Sequence, residues 1–206
     1  MVGNAREGRI YLLRHGETEW SATGRHTSYT DVPLTGRGRQ QARRAGAVLS
    51  RLRGTDVPPA LVLTSPRVRA RRTAELAGLA VDEVADALAE WNYGEYEGLT
   101  TEQIRESVPG WTVWTHPCPG GETADDVAAR AGKVLERARD ALPGGDVVLV
   151  GHGHFSRVLV AAWLGMPPGA GVHFALTAAG TSVLGDERGV PQLCHLDVPP
   201  WGDQED

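Results

Sequence analysis

Two short apolar runs, far apart in the chain, end in the same way. Ile10-Tyr11-Leu12-Leu13 runs into Arg14-His15-Gly16-Glu17, and Val147-Val148-Leu149-Val150 runs into Gly151-His152-Gly153-His154. An unbroken run of four or five apolar residues, with no polar alternation, is the pattern of a strand covered on both faces, and such strands belong to parallel sheets. In an open parallel sheet the ligand crevice lies beyond the carboxyl ends of the strands. The two His-Gly turns are therefore expected to project into one crevice. Their glycines allow backbone amides to come close to an anion.

The rest of the chain alternates in the same manner, which predicts an α/β fold: a three-layer sandwich with a mostly parallel central sheet flanked by helices. Thr35 is placed to cap a helix whose inner face carries Ala42, Ala45, Leu49 and Leu52. Leu61-Val62-Leu63 is a further strand, and Ser65-Pro66 reads as a helix start with Ser as cap and Pro in the first turn. Glu90 to Gly98 is a glycine-interrupted loop. Thr123 opens a helix lined by Val127, Ala131, Val134, Ala138 and Leu142, which Pro143-Gly144-Gly145 stops. Phe155 to Leu164 is read as helix and Ser182-Val183-Leu184 as a last strand. With 206 residues, no internal repeat and no linker, one domain spanning 1–206 is the expectation, with 199–206 as a frayed tail.

Beside His15 stands Arg14, and the segment Thr64-Ser65-Pro66-Arg67-Val68-Arg69 follows a strand and opens a helix. A helix N-terminus favours an anion, and an arginine there can take two phosphate oxygens in a fork. Arg14, Arg69, His15 and His152 around one tetrahedral dianion make a phosphate pocket. A net charge of -5 disfavours nucleic acid, whose phosphates select basic surfaces, but allows a local cluster of arginines. No apolar stretch is long enough to span a bilayer, and the first residues lack a secretory apolar segment. Cys118 and Cys194 fit no disulfide or zinc pattern and read as inert thiols in a reducing, cytoplasmic setting.

Leu13-Arg14-His15-Gly16-Glu17-Thr18 resembles the signature of the histidine phosphatase superfamily, which also contains the cofactor-dependent phosphoglycerate mutases. The resemblance continues in order through Gly24-Arg25-His26-Thr27, Asp31-Val32-Pro33-Leu34-Thr35, Thr64-Ser65-Pro66 with Arg69-Ala70, and Glu90 with Gly94 and Glu97-Gly98. Gly120-Gly121-Glu122-Thr123 and Gly151-His152-Gly153 complete it, so that it covers about residues 9 to 185. Trp20-Ser21, Glu90-Trp91, Tyr93-Gly94 and Gly151-His152-Gly153-His154 extend the likeness to actinobacterial acid phosphatases and sedoheptulose-1,7-bisphosphatase-type members.

The resemblance implies catalysis by His15 as nucleophile, with Arg14, Arg69 and His152 on the phosphoryl oxygens and Glu90 as general acid. It implies substrate contacts from Ser21, His26, Thr27, Trp91, Tyr93 and Gly153. Glu17 is expected to orient the first motif, Glu97 to close the turn from Gly94 to Gly98, and Arg67, Arg71 and Arg72 to lie on a solvated face. No metal or other cofactor is implied; His152 and His154 as a metal pair lack a carboxylate companion.

The implied activity is a metal-independent phosphomonoesterase of the acid phosphatase type, acting on a small phosphorylated metabolite such as a sugar phosphate or bisphosphate. A mutase, a non-catalytic phospho-ligand-binding module and a phosphoprotein phosphatase are the alternatives. The mutases carry Asn at the position of Ser21 and Arg at that of Trp91, with a longer basic segment; residues 91 to 121 here hold one Arg, Arg105, and no Lys. A pocket without those cations favours the phosphatase. An unpaired sheet edge is compatible with a homodimer.

Overall fold

A computed structural model describes residues 8–201. Its centre is a six-stranded sheet of order β3-β2-β4-β1-β5-β6. The strands are β1 (Ile10–Arg14), β2 (Leu61–Thr64), β3 (Glu83–Val84), β4 (Val147–Gly151), β5 (Thr181–Glu187) and β6 (Val190–Val198). β1, β4, β2 and β3 run parallel to one another; β5 lies antiparallel to β1, and β6 antiparallel to β5.

Because successive side chains of a strand point to opposite faces, each apolar run feeds two cores. Ile10, Leu12, Leu61, Leu63, Val147 and Leu149 pack on one face, against α5 (Ala124–Ala141) and α6 (Gly153–Trp163). Tyr11, Leu13, Val62, Val148 and Val150 pack on the other, with Ala45 and Leu49 of α2 (Gly36–Arg53) and Ala70 and Ala74 of α3 (Val68–Leu76). This is the three-layer arrangement expected from the runs. Helices α1 (Glu19–Ala22) and α4 (Thr101–Ser107) are short and stand at the carboxyl edge of the sheet, each started by a capping box, on Thr18 and Thr100.

Thr35 and Thr123 cap α2 and α5 as expected. Ser65 does not cap α3. That helix begins three residues later, after Arg67, and the Ser65 side chain turns to His152 instead. Two antiparallel elements depart from the expected pattern: β5 is longer than its apolar triplet, and β6 was not expected. β6 is an edge strand with Pro191 and side chains that are exposed or half-buried, so it carries no buried apolar run to betray it. The expected tail at 199–206 is corrected in its first part. Pro200 is buried, and the Trp201 ring lies under Arg37 and Arg44 of α2, at 5.4 and 6.0 Å. Residues 202–206 lie outside the described residues.

Two close backbone approaches shape the carboxyl edge. A Cβ on Gly16 would stand 2.4 Å from the Gly38 carbonyl oxygen, so the turn after β1 rests directly on the first turn of α2. Gly94, at φ +54°, leaves 2.0 Å between a would-be Cβ and the Pro119 oxygen, bringing the two ends of the segment from Glu90 to Glu122 together.

Candidate active site

The turns after β1 and β4 meet, as the sequence predicts. The His15 and His152 rings stand edge to face with centroids 5.2 Å apart, and both are buried. His15 Nδ1 lies 2.7 Å from the Gly16 carbonyl oxygen. A carbonyl can only accept, so Nδ1 carries the proton and Nε2 keeps its lone pair. Burial, with Arg14 and Arg69 nearby, holds the His15 pKa well below the ordinary 6.5. At neutral pH the ring is a neutral base with an available nitrogen.

His152 is held differently. Its Nε2 lies 2.7 Å from Ser65 Oγ, and its Nδ1 has no hydrogen-bond partner among the described residues. Burial first, then Arg69, His15, Arg14 and Arg67, lower its pKa well below 6.5. With the Ser65 hydroxyl donating to Nε2, the neutral ring carries its proton on Nδ1. In that tautomer His152 can donate to an anion while neutral.

Arg14 donates through Nη1 to the Leu176 carbonyl and leaves Nε unpartnered. Arg69 is fully buried on α3. Its Nη1 donates to Thr30 O (2.9 Å), and its Nη2 to Thr27 O (3.0 Å) and Ser28 O (3.1 Å), while Nε is unpartnered. The fork expected of Arg69 is thus spent on the backbone of residues 27–30, and Nε is the group left over. That loop is itself fixed by Glu97, whose carboxylate accepts from Ser28 N, Ser28 Oγ and Thr30 N. Glu97 therefore holds the loop under Arg69 rather than closing its own turn. Arg67 is half-buried with an unpartnered Nε, not on a solvated face; Arg71 and Arg72 are exposed as expected.

Glu90 is buried, and its carboxylate sits at the start of α6. Oε1 accepts from Trp91 N (2.9 Å) and Phe155 N (2.7 Å), and Oε2 from His154 N (3.0 Å). The N-terminus of a helix suits a carboxylate. The chain around Glu90 is pinned from behind by Arg130 of α5. Its guanidinium donates to Ala87 O, Ala89 O and Glu90 O and pairs with Glu122 at 2.6 and 2.9 Å.

A cavity of about 210 Å³ is lined by Arg14, His15, Ser21, His26, Thr27, Glu90, Tyr93 and Gly153 of the expected residues, while Arg69 and His152 lie fully buried and outside its lining. Trp91 does not line it either. Its ring is buried in the core, donating from Nε1 to Glu122 O, on the side away from the Glu90 carboxylate that lines the cavity. The Ser21 hydroxyl lines the cavity but is engaged with Thr18 in the capping box of α1. Glu17 accepts from Thr35 Oγ1 and thereby ties the first motif to the start of α2. Trp111 packs in the core.

Sequence reading missed Arg25, Thr101, His154 and Arg157, all on the cavity wall. His154 stacks within an aromatic cluster and lies 2.7 Å from the Tyr93 hydroxyl, so His152 and His154 face different partners and do not form a pair. No group of three His, Cys, Asp or Glu side chains among the described residues is arranged to hold a metal. Burial pushes the Cys118 thiol up to about 11, which leaves it a poor nucleophile. No helix among the described residues is long and apolar enough to cross a membrane.

A buried histidine with a free ring nitrogen, lining a cavity with Arg14, Arg25 and Arg157 at the carboxyl edge of an α/β sheet, is an arrangement suited to an anionic phosphoryl group. The chain belongs to the histidine phosphatase superfamily, branch 1, whose model matches residues 10–198. It is 50% identical to an acid phosphatase of Mycobacterium tuberculosis over 191 residues, 93% of each chain. It is 32% identical to a sedoheptulose 1,7-bisphosphatase of Saccharomyces cerevisiae over 184 residues, 77% of this chain and 68% of that one. The solved structure of an open reading frame from Mycobacterium tuberculosis superposes with a TM-score of 0.90 at 48% identity, over 95% of this chain and 100% of that one.

Proposed function

We propose that this protein is a metal-independent phosphomonoesterase for a small phosphorylated metabolite, working through a phosphohistidine on His15. One observation carries the reading. Three buried donors without partners among the described residues, Arg14 Nε, Arg69 Nε and His152 Nδ1, belong to side chains grouped around the free nitrogen of His15. Buried polar atoms are almost always satisfied, and a phosphoryl group would satisfy all three at once. In this reading His15 Nε2 attacks phosphorus, the phosphorus–oxygen bond to the leaving group breaks, and that oxygen takes a proton from Glu90. Water, giving its proton to the Glu90 carboxylate, then cleaves the phosphorus–nitrogen bond and frees phosphate.

The 50% identity to an acid phosphatase over nearly the whole chain supports hydrolysis over isomerisation. The paucity of cations between residues 91 and 121 no longer does so, since Arg25 and Arg157 reach the cavity from other segments. The same reading takes the chain as one cytoplasmic domain, with nucleic acid and membrane as no part of its work and a homodimer allowed by the sheet edges.

The test is phosphate release from an aryl phosphate and a sugar-phosphate panel, with EDTA present, by wild type and His15→Ala. Release by the wild type that is lost in the variant, with acid-labile phosphate trapped on the wild type, is the expected result. Conversion of 3-phosphoglycerate to its isomer without phosphate release would replace the proposal by a mutase. No turnover of anything would replace it by a binding module.

A further inference from the structure

We infer that the outer cavity holds a second anion-binding position, formed by Arg157 and Arg25, and that the preferred substrate carries a second anionic group besides the phosphoryl that reacts. This rests on the phosphatase reading and adds to it the class of substrate.

The argument begins with charge. Glu90 is the only carboxylate among the described residues lining the cavity, whereas Arg14, Arg25 and Arg157 all line it. The transferring phosphoryl dianion is answered by Arg14 and Arg69 beside His15. Arg157 and Arg25 remain, and neither makes an ion pair with any described carboxylate. Guanidinium groups without ion pairs that line one cavity raise the local positive potential, and a substrate with one phosphate leaves it unanswered.

Arg157 is built as a receptor rather than as a solvated surface charge. It stands on α6, one helical turn after His154. Its Nε donates to Gly171 O (2.8 Å) and its Nη2 to Val172 O (2.9 Å), and its plane lies over the Trp114 ring at 4.7 Å. Those contacts fix the guanidinium and leave Nη1 without a hydrogen bond among the described residues. A pre-set arginine loses little freedom when it binds an oxyanion. Arg25 comes from the opposite side, after α1. Its backbone pairs with Thr100, which anchors its base, while its exposed side chain makes no hydrogen bond among the described residues.

A carboxylate or a second phosphate would satisfy this position equally well in kind, and the two are separated by choice of probe. Turnover of a hexose bisphosphate is compared with that of the hexose monophosphate, and 3-phosphoglycerate with glycerol 3-phosphate, for wild type, Arg157→Gln, Arg157→Lys and Arg25→Gln. Wild type is expected to prefer the doubly anionic member of at least one pair by about tenfold or more in kcat/KM, as charge-assisted hydrogen bonds warrant. The bisphosphate pair alone would assign a phosphate, the phosphoglycerate pair alone a carboxylate.

The preference is expected to fall toward unity in both Gln variants, through KM, with Arg157→Lys retaining part of it. Arg25 is exposed, so its variant folds whatever becomes of Arg157. A wild type that hydrolyses aryl phosphate in a His15-dependent way but shows no preference in either pair would overturn this inference alone. So would a preference that survives both Gln substitutions. Absence of any His15-dependent hydrolysis would overturn the phosphatase reading and this inference with it.

Discussion

Ser65 Oγ and His152 Nε2 stand 2.7 Å apart, both buried, and join the strand end after β2 to the one after β4. The contact couples the direction of the Ser65 hydroxyl to the nitrogen of His152 that bears the proton. With the hydroxyl donating, Nδ1 becomes a donor; without it, the neutral ring can place its proton on either nitrogen. Ser65→Ala is therefore expected to lower kcat/KM for phosphate-ester hydrolysis by about five- to thirtyfold, the worth of one or two hydrogen bonds, with a smaller effect on folding. Steady-state kinetics of the variant check this. Wild-type kinetics in Ser65→Ala would remove Ser65 from the machinery.

Four enclosed histidines, His15, His26, His152 and His154, have pKa values lowered from 6.5, burial being the largest cause in each. In the unfolded chain they take protons as pH falls through about 6.5, while the native state refuses them until its lowered values are reached. The unfolded state then binds more protons, so stability is full above the unfolded value and is lost as pH falls below it. Each such histidine contributes a slope of up to about 1.4 kcal/mol per pH unit. Thermal melts should be nearly flat from pH 7.5 to 9 and drop steeply below pH 6. His15, meanwhile, stays neutral below pH 6.5, so kcat/KM at low temperature should hold into the mildly acidic range. A melting temperature that is unchanged between pH 8 and 5 would contradict the first statement. A rate rising steadily from pH 5 to 9 would contradict the second.

The sheet and the inner site were legible because they are written as local patterns. Four-residue apolar runs mark strands buried on both faces, and the residues just beyond them, Arg14, His15 and His152, meet wherever such strands are neighbours. What stayed hidden depends on contacts between distant segments. β6 is an exposed edge strand, held by pairing with β5 rather than by its own apolar pattern. Trp91 adjoins Glu90 in sequence yet lies in the core, since adjacency in the chain does not fix which neighbour faces the cavity. Arg25, although within the motif Gly24-Arg25-His26-Thr27, and Arg157 on α6 are not singled out by sequence, because an arginine on a helix or loop reads as surface until the rest of the cavity is known.

Glu97 acts on the site through the loop it grips. Its carboxylate accepts from Ser28 and Thr30, and the carbonyls of Thr27, Ser28 and Thr30 accept from Arg69. Glu97→Ala is expected to cost about 1–3 kcal/mol of stability, the range for charged hydrogen bonds lost from a half-buried position. It should also weaken binding of inorganic phosphate or vanadate, because Arg69 Nε is no longer held in place. Calorimetry of the variant with and without vanadate measures both. Vanadate affinity equal to that of the wild type would limit Glu97 to stability alone.

Arg130 is the corresponding support for Glu90, and it uses nearly all its donors there: three carbonyls from Ala87 to Glu90 and both oxygens of Glu122, which in turn accepts from Asn92 N. Lysine offers three donors from one point and cannot reach this set, so Arg130→Lys should behave nearly as badly as Arg130→Ala. Both pairing side chains are about one-fifth exposed, which moderates the penalty, and about 2–4 kcal/mol of destabilisation is expected. The kinetic sign is specific. Arg14 and Arg69 are not touched by Arg130, so phosphate affinity should persist while a displaced Glu90 protonates the leaving group poorly. The loss should therefore fall on kcat more than on KM, and should be smaller for an aryl phosphate, whose phenolate leaves without help, than for an alkyl one. Equal losses on the two esters would mean that Arg130 supports the fold and not the position of Glu90.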